Sequence, residues 1–111
     1  MTLCLEYGLY YDRDGNPLTL YEWIALRETP GYQLILNTRL GPERMVSTVW
    51  LGTNLGIGPD LRIFESAYFV GWTEGSCGKL QSSIRSSTEA EAIAAHFELV
   101  NEFASEGETI Q

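Results

Sequence analysis

Asp12, Asp14 and Asn16 stand at alternate positions, the spacing with which a calcium loop begins. The sixth position is Pro17, where that loop needs glycine for its sharp turn, and the twelfth is Trp23, where it needs a bidentate glutamate. The segment therefore reads as a turn whose aspartates hydrogen-bond their own backbone. Gly52, Gly56 and Gly58 superficially suggest a phosphate loop, but their spacing is not the dinucleotide pattern and no Gly-Lys-Ser/Thr follows. The stretch opens into a strand, so no helix N-terminus stands behind it to hold an anion. A surface loop is expected, with partner contact as the alternative.

His96 is the single histidine, which excludes a multi-histidine metal site and leaves one imidazole for general-base work. It is expected as a hydrogen-bonded residue at the edge of a buried helix face, beside Leu99 and Phe103. Ser76, Cys77 and Ser87 sit in no recognisable nucleophile motif, and Cys77 lies among glycines in an acidic chain, without the positive setting that activates a thiol. Cys4 and Cys77 are far apart with no further cysteine from which a zinc site could be made. Two reduced, buried thiols are expected, and a disulfide between them stays open. No catalytic, cofactor-binding or metal-binding constellation assembles, so a noncatalytic protein without cofactor is expected. A small hydrolase would need His96 beside a nucleophile in a concave pocket.

The elements that would position these residues follow from local patterns. Leu3 to Tyr11 reads as a first strand running into the turn Asp12 to Pro17. Thr19 with Glu22 forms a capping box that starts a short helix from Leu20 to about Glu28, with Trp23, Ile24, Leu20 and Arg27 toward its inner side. Thr29-Pro30-Gly31 ends it, since the residue before proline is pushed out of helical geometry. Tyr32 to Arg39 and Arg44 to Leu51 alternate like strands and should pair as a hairpin across Leu40 to Glu43. Leu61 to Val70 is apolar on both faces, which indicates a central strand covered on both sides or one that ends in an interface. Gly52 to Asp60 and Gly71 to Gly78 are the candidate mobile loops. A last strand, about Lys79 to Arg85, leads into a second capping box, Thr88 with Glu91, and a long helix reaching about Ser105. The expected architecture is α+β: an antiparallel sheet of four to five strands, one short helix after the first strand and one long C-terminal helix packed on the sheet. Residues 1–105 would form the single domain and 106–111 a frayed acidic tail.

From Ser87 onward every ionisable side chain except His96 is a glutamate. At roughly 100° per residue, Glu91, Glu98, Glu102 and Glu106 line one side of the long helix, while Ala90, Ile93, Phe97, Val100 and Ala104 line the opposite side. One face is expected to be core and the other an acidic stripe.

The aromatic complement includes Trp23, Trp50 and Trp72 with six tyrosines, more than a core of 111 residues comfortably encloses. Tryptophan and tyrosine dominate binding hot spots, and Trp72, in the loop Gly71 to Gly78, is the candidate anchor; packing across the sheet end is the alternative. Tyr10 and Tyr11 cannot both point inward from one strand, so one should face solvent or a partner.

With 44% hydrophobic and 20% charged residues the chain is in the globular range. A net charge of −8 and singly scattered basic residues disfavour direct binding to nucleic acid or to an anionic membrane. No apolar stretch approaches the roughly 20 residues that span a bilayer, and the start lacks a secretory pattern, so a cytoplasmic location is expected.

Four segments, YYDRDGNPLTLYEWIAL (Tyr10 to Leu26), VSTVWLGTNLGIG (Val46 to Gly58), RIFESAYF (Arg62 to Phe69) and RSSTEAEAIAAH (Arg85 to His96), together resemble a family of small uncharacterised proteins encoded in bacteriophage and prophage genomes. The resemblance carries no catalytic residue across. It implies a host-cell cytoplasmic location and a noncatalytic acidic module that binds a basic surface of a host protein, such as a nucleic-acid-processing or CRISPR-type defence complex. Glu91, Glu98, Glu102 and Glu106 would supply the charge and Trp72 the anchor. The competing expectation is a structural protein whose apolar strand faces pair two copies.

Overall fold

The computed structural model describes residues 10–53 and 62–105. Strand β1 (Tyr10–Tyr11) pairs antiparallel with β2 (Pro17–Leu18) around the aspartate turn. Asp12 carries that turn as predicted: its carboxylate accepts from the backbone N–H of Asp14 at 2.9 Å and of Asn16 at 2.8 Å. Helix α1 (Leu20–Arg27) follows, with the Thr19 hydroxyl accepting from Glu22 N–H and the Glu22 carboxylate accepting from Thr19 N–H. Its contacts with the core cluster come from Trp23 and Leu26, whereas Leu20 and Ile24, each 37% exposed, do not join that cluster. Only one flank of this short helix meets the core, and the Arg27 guanidinium lies over the Trp23 ring instead of turning inward.

The main sheet has four strands in sequence order, β3 (Leu34–Gly41), β4 (Arg44–Trp50), β5 (Phe64–Val70) and β6 (Lys79–Ser86), each antiparallel to the next. Pro42 and Glu43 alone make the β3–β4 turn, tighter than the predicted loop. Helix α2 (Glu89–Phe103) crosses one face. The α+β arrangement with a C-terminal helix on an antiparallel sheet therefore matches the sequence expectation. The main sheet and the small sheet meet at its rim, where Trp50, Phe64 and Ile63 pack with Leu18 and Ala92. Leu3 to Leu9 of the predicted first strand, Cys4, Gly56, Gly58 and Glu106 lie outside the described residues.

Helix α2 is rotated by about one residue from the predicted phase. Its buried face is Ala92, Ala95, His96 and Leu99, with Val100 and Phe103 packed at the far end. Phe97 is 49% exposed, and Ala90 and Ala104 also face outward. The two small alanines allow the helix backbone to approach the sheet closely, and His96 finds polar partners there that phenylalanine could not use. Glu91 likewise differs in detail: Thr88 accepts from Glu91 N–H at 3.1 Å, but the Glu91 carboxylate accepts from Ser87 N–H rather than from the cap residue itself.

Tyr10 and Tyr11 are both half-buried against the rim cluster. The strand that holds them is two residues long at a sheet end, so strict alternation between an inner and an outer face does not apply. Tyr10 packs on Trp23 with ring centroids 4.8 Å apart.

Candidate functional site

His96 is fully buried, not a boundary residue, and anchors a polar chain through the apolar layer. Three strands of the sheet each supply one hydroxyl: Thr38 from β3, Thr48 from β4 and Ser66 from β5. Ser66 Oγ donates to Ala92 O at 3.0 Å and accepts from Thr48 Oγ1 at 2.7 Å. With its proton used there, Thr48 Oγ1 can only accept from His96 Nδ1 at 2.8 Å. His96 Nε2 is then the lone-pair nitrogen and accepts from Thr38 Oγ1 at 2.8 Å. Burial pushes the imidazole pKa below its ordinary value, which favours this neutral form. The ring, Thr48 and Ser66 are all shut off from solvent, while Thr38 at the end of the chain of hydrogen bonds is half-buried. These hydrogen bonds tie one face of α2 to three strands of the sheet.

The predicted charged residues separate into two groups. Glu89, not singled out from the sequence, pairs with Arg13 across the fold at 2.9 Å, and its hydrogen bond and charge raise the Arg13 pKa against the effect of burial. Glu91, Glu98 and Glu102 are exposed and form no ion pair with another described residue. The acidic face of α2 is thus open to solvent along these three positions.

Glu91 and Glu98 also form one wall of a groove of about 460 Å³ between α2 and β6. Ala94 and Ala95 stand beside them on the helix, and Ile84, Ser86, Arg85 and Arg62 line the opposite side. Arg85 Nη1 donates to Arg62 O at 3.0 Å, which holds the two arginines together at that wall. Sequence reading missed this groove because the singly scattered arginines gave no sign of which glutamates they would face.

Trp72 lies elsewhere. It is half-buried against Phe69, ring centroids 5.3 Å apart, on the sheet face away from α2. There it borders a smaller, mainly apolar hollow of about 150 Å³ with Val49, Ala67, Phe69 and Cys77. The structure does not bring Trp72 together with Glu91, Glu98 and Glu102. Cys77 is exposed with a free thiol, contrary to the expected buried one. The loop that carries both is tied by reciprocal backbone hydrogen bonds between Thr73 and Ser76 and by Gly78 at φ 74°, whose Cα leaves no space beside Val70 O for a side chain.

Gly52 belongs to packing. Its φ is 74°, and a Cβ there would sit 2.4 Å from the Trp50 ring and 2.6 Å from Trp23 Nε1. Among the described residues no group of three or more histidine, cysteine, aspartate or glutamate side chains could hold a metal ion, and no helix is long and apolar enough to cross a membrane. No known protein family, curated protein or solved structure matches this chain.

Proposed function

We propose that the protein is a noncatalytic binding module that occupies a basic surface on a host protein through the acidic face of α2, in the manner of a phage inhibitor of a nucleic-acid-processing or defence complex. The observation that supports this reading most is that Glu91, Glu98 and Glu102 stand exposed without an ion pair to another described residue, while Glu89 is neutralised by Arg13. Ordered on a helix held by a buried hydrogen-bonded histidine, these carboxylates present a fixed field to a positive partner, which speeds encounter and competes with phosphate for the same groove. Charge reversal at Glu98 and Glu102 together should abolish capture of such a partner from host lysate, and capture by the unaltered protein should fall steeply with added salt. Capture that ignores both changes would remove the electrostatic reading.

A second reading is assembly of two copies through the sheet face away from α2. It is favoured by the apolar hollow at Trp72 and by Leu34 and Leu80, which are 46% and 54% exposed. Light scattering separates the two: a salt-independent dimer supports assembly, a monomer the first reading.

A further inference from the structure

Strand β6 pairs with β5 and, among the described residues, with no strand on its other side. An antiparallel sheet that ends this way presents a row of backbone donors and acceptors, a template for one more strand. Natural sheets commonly blunt such edges with proline, lysine, a bulge or a covering segment. Lys79–Ser86 contains no proline, and all of its first seven positions are exposed or only partly covered; Lys79 and the register shift between Leu80 and Ser82 lie in its first half, so Ser82–Ser86 pairs regularly with β5 beside the groove. Directly beside this edge runs the groove whose far wall is α2.

We infer that an extended segment of the partner adds to β6 as a fifth strand and seats alternate side chains in the groove, so that the acidic face and the sheet edge form one peptide-binding site. This rests on the binding-module reading and names the chemistry of the partner. Strand addition supplies affinity through main-chain hydrogen bonds, and the groove supplies selectivity every second residue. Five or six residues of such a strand span roughly 17–20 Å. Glu91 and Glu98 are seven positions apart on the helix, about 10 Å along its axis, within reach of lysines at alternate positions of an extended chain. The lysine stems would lie on Ile84, Ala94 and Ala95 with their ammonium groups at the two carboxylates, an arrangement that suits an apolar stem and a charged end. Arg85 on the strand side opposes a uniformly basic segment and favours an acidic residue at that point. The groove's 460 Å³ falls in the range that holds a compact ligand.

The test is an amide-resolved NMR titration of the whole protein with an acetylated heptapeptide of alternating lysine and valine that ends in glutamate. A second peptide of the same charge carries proline in place of valine, which cannot complete the ladder. The expected result is that amide shifts and slowed hydrogen exchange concentrate in Lys79–Ser86, that the proline peptide binds at least tenfold more weakly, and that Ala94→Trp, at an exposed position that fills the groove, weakens the valine peptide at least tenfold. Equal binding of both peptides, or shifts confined to the outer carboxylates, would overturn strand addition. If that binding still depended on Glu98 and Glu102, the electrostatic reading would survive the loss of this one. Retained strand addition in the Glu98→Lys, Glu102→Lys protein, with host-partner capture unaffected as well, would reject both the acidic-face reading and the single site that joins it to the edge.

Discussion

His96 Nδ1 lies 2.8 Å from Thr48 Oγ1, and this contact joins α2 to the centre of the sheet at the point where both are buried. A polar residue in an apolar layer is tolerated when its hydrogen bonds are made and costly when they are not. Among the described residues no buried side-chain nitrogen or oxygen is left without a partner, so the histidine is fully accommodated.

The folded state favours neutral His96, so near and below pH 6.5 the unfolded chain binds more protons than the folded one. Stability contributed by the neutral ring is present above that range and is lost as pH falls toward the lowered folded value. Urea unfolding at pH 7.5, 6.5 and 5.5 should show a falling midpoint. His96 is the single histidine, so His96→Gln should flatten the change over this window. An equal slope in both proteins would contradict the account.

Thr48→Val keeps the side chain's shape but removes the hydroxyl shared by His96 and Ser66. Two buried polar groups lose a partner, so destabilisation of about 2–6 kcal/mol is expected from roughly 1–3 kcal/mol per unsatisfied group. Chemical denaturation measures it. A change below about 0.5 kcal/mol, the size of an ordinary surface substitution, would show that the network carries little stability.

Gly52→Ala should destabilise by roughly 2–4 kcal/mol, since it combines a left-handed backbone with overpacking against two indole rings. The tryptophan emission should change with it, because Trp23 Nε1 donates to Leu51 O and Trp50 Nε1 to Tyr11 O within the same cluster. Gly15→Ala makes the comparison: its φ is 89° but nothing lies within 4 Å of the added carbon, so its cost should be about 1 kcal/mol.

Arg44 reaches from β4 to the end of α2, donating to Tyr68 Oη at 2.9 Å, to Leu40 O at 3.1 Å and to Phe103 O. The last turn of α2 contains no basic residue of its own, so this guanidinium supplies the positive charge that helix carbonyl ends favour. Arg44→Met should cost about 1.5–3 kcal/mol, the range for hydrogen bonds to a charged group. Hydrogen exchange should rise first at the amides around Phe103, while those of β4 and β5 follow global unfolding. Uniform exchange along the chain would count against a local clamp.

Much of the architecture was readable because it is local. The hairpin at Pro42-Glu43, the threonine caps at Thr19 and Thr88 and the self-bonded turn of Asp12 each depend on residues within four positions of one another. The phase of α2 was not. Phe97, as large as Phe103 and nearer the middle of that helix, pulls the periodicity toward itself, yet the alanine and histidine face is the one that fits. Thr38, Thr48 and Ser66 come from three different strands, and their convergence on one imidazole depends on sheet register, which helical periodicity does not contain.

By itself the amino-acid order determined the α+β succession, the glutamate-only charge of the last quarter and the single imidazole, because composition and short-range spacing are properties of the chain alone. Tertiary packing decided which glutamate is neutralised, placed Trp72 on the opposite side of the sheet from the acidic face, and set the groove beside β6. Those outcomes depend on distances between residues far apart in the chain, such as Arg13 and Glu89, and come into being only when the helix seats on the strands.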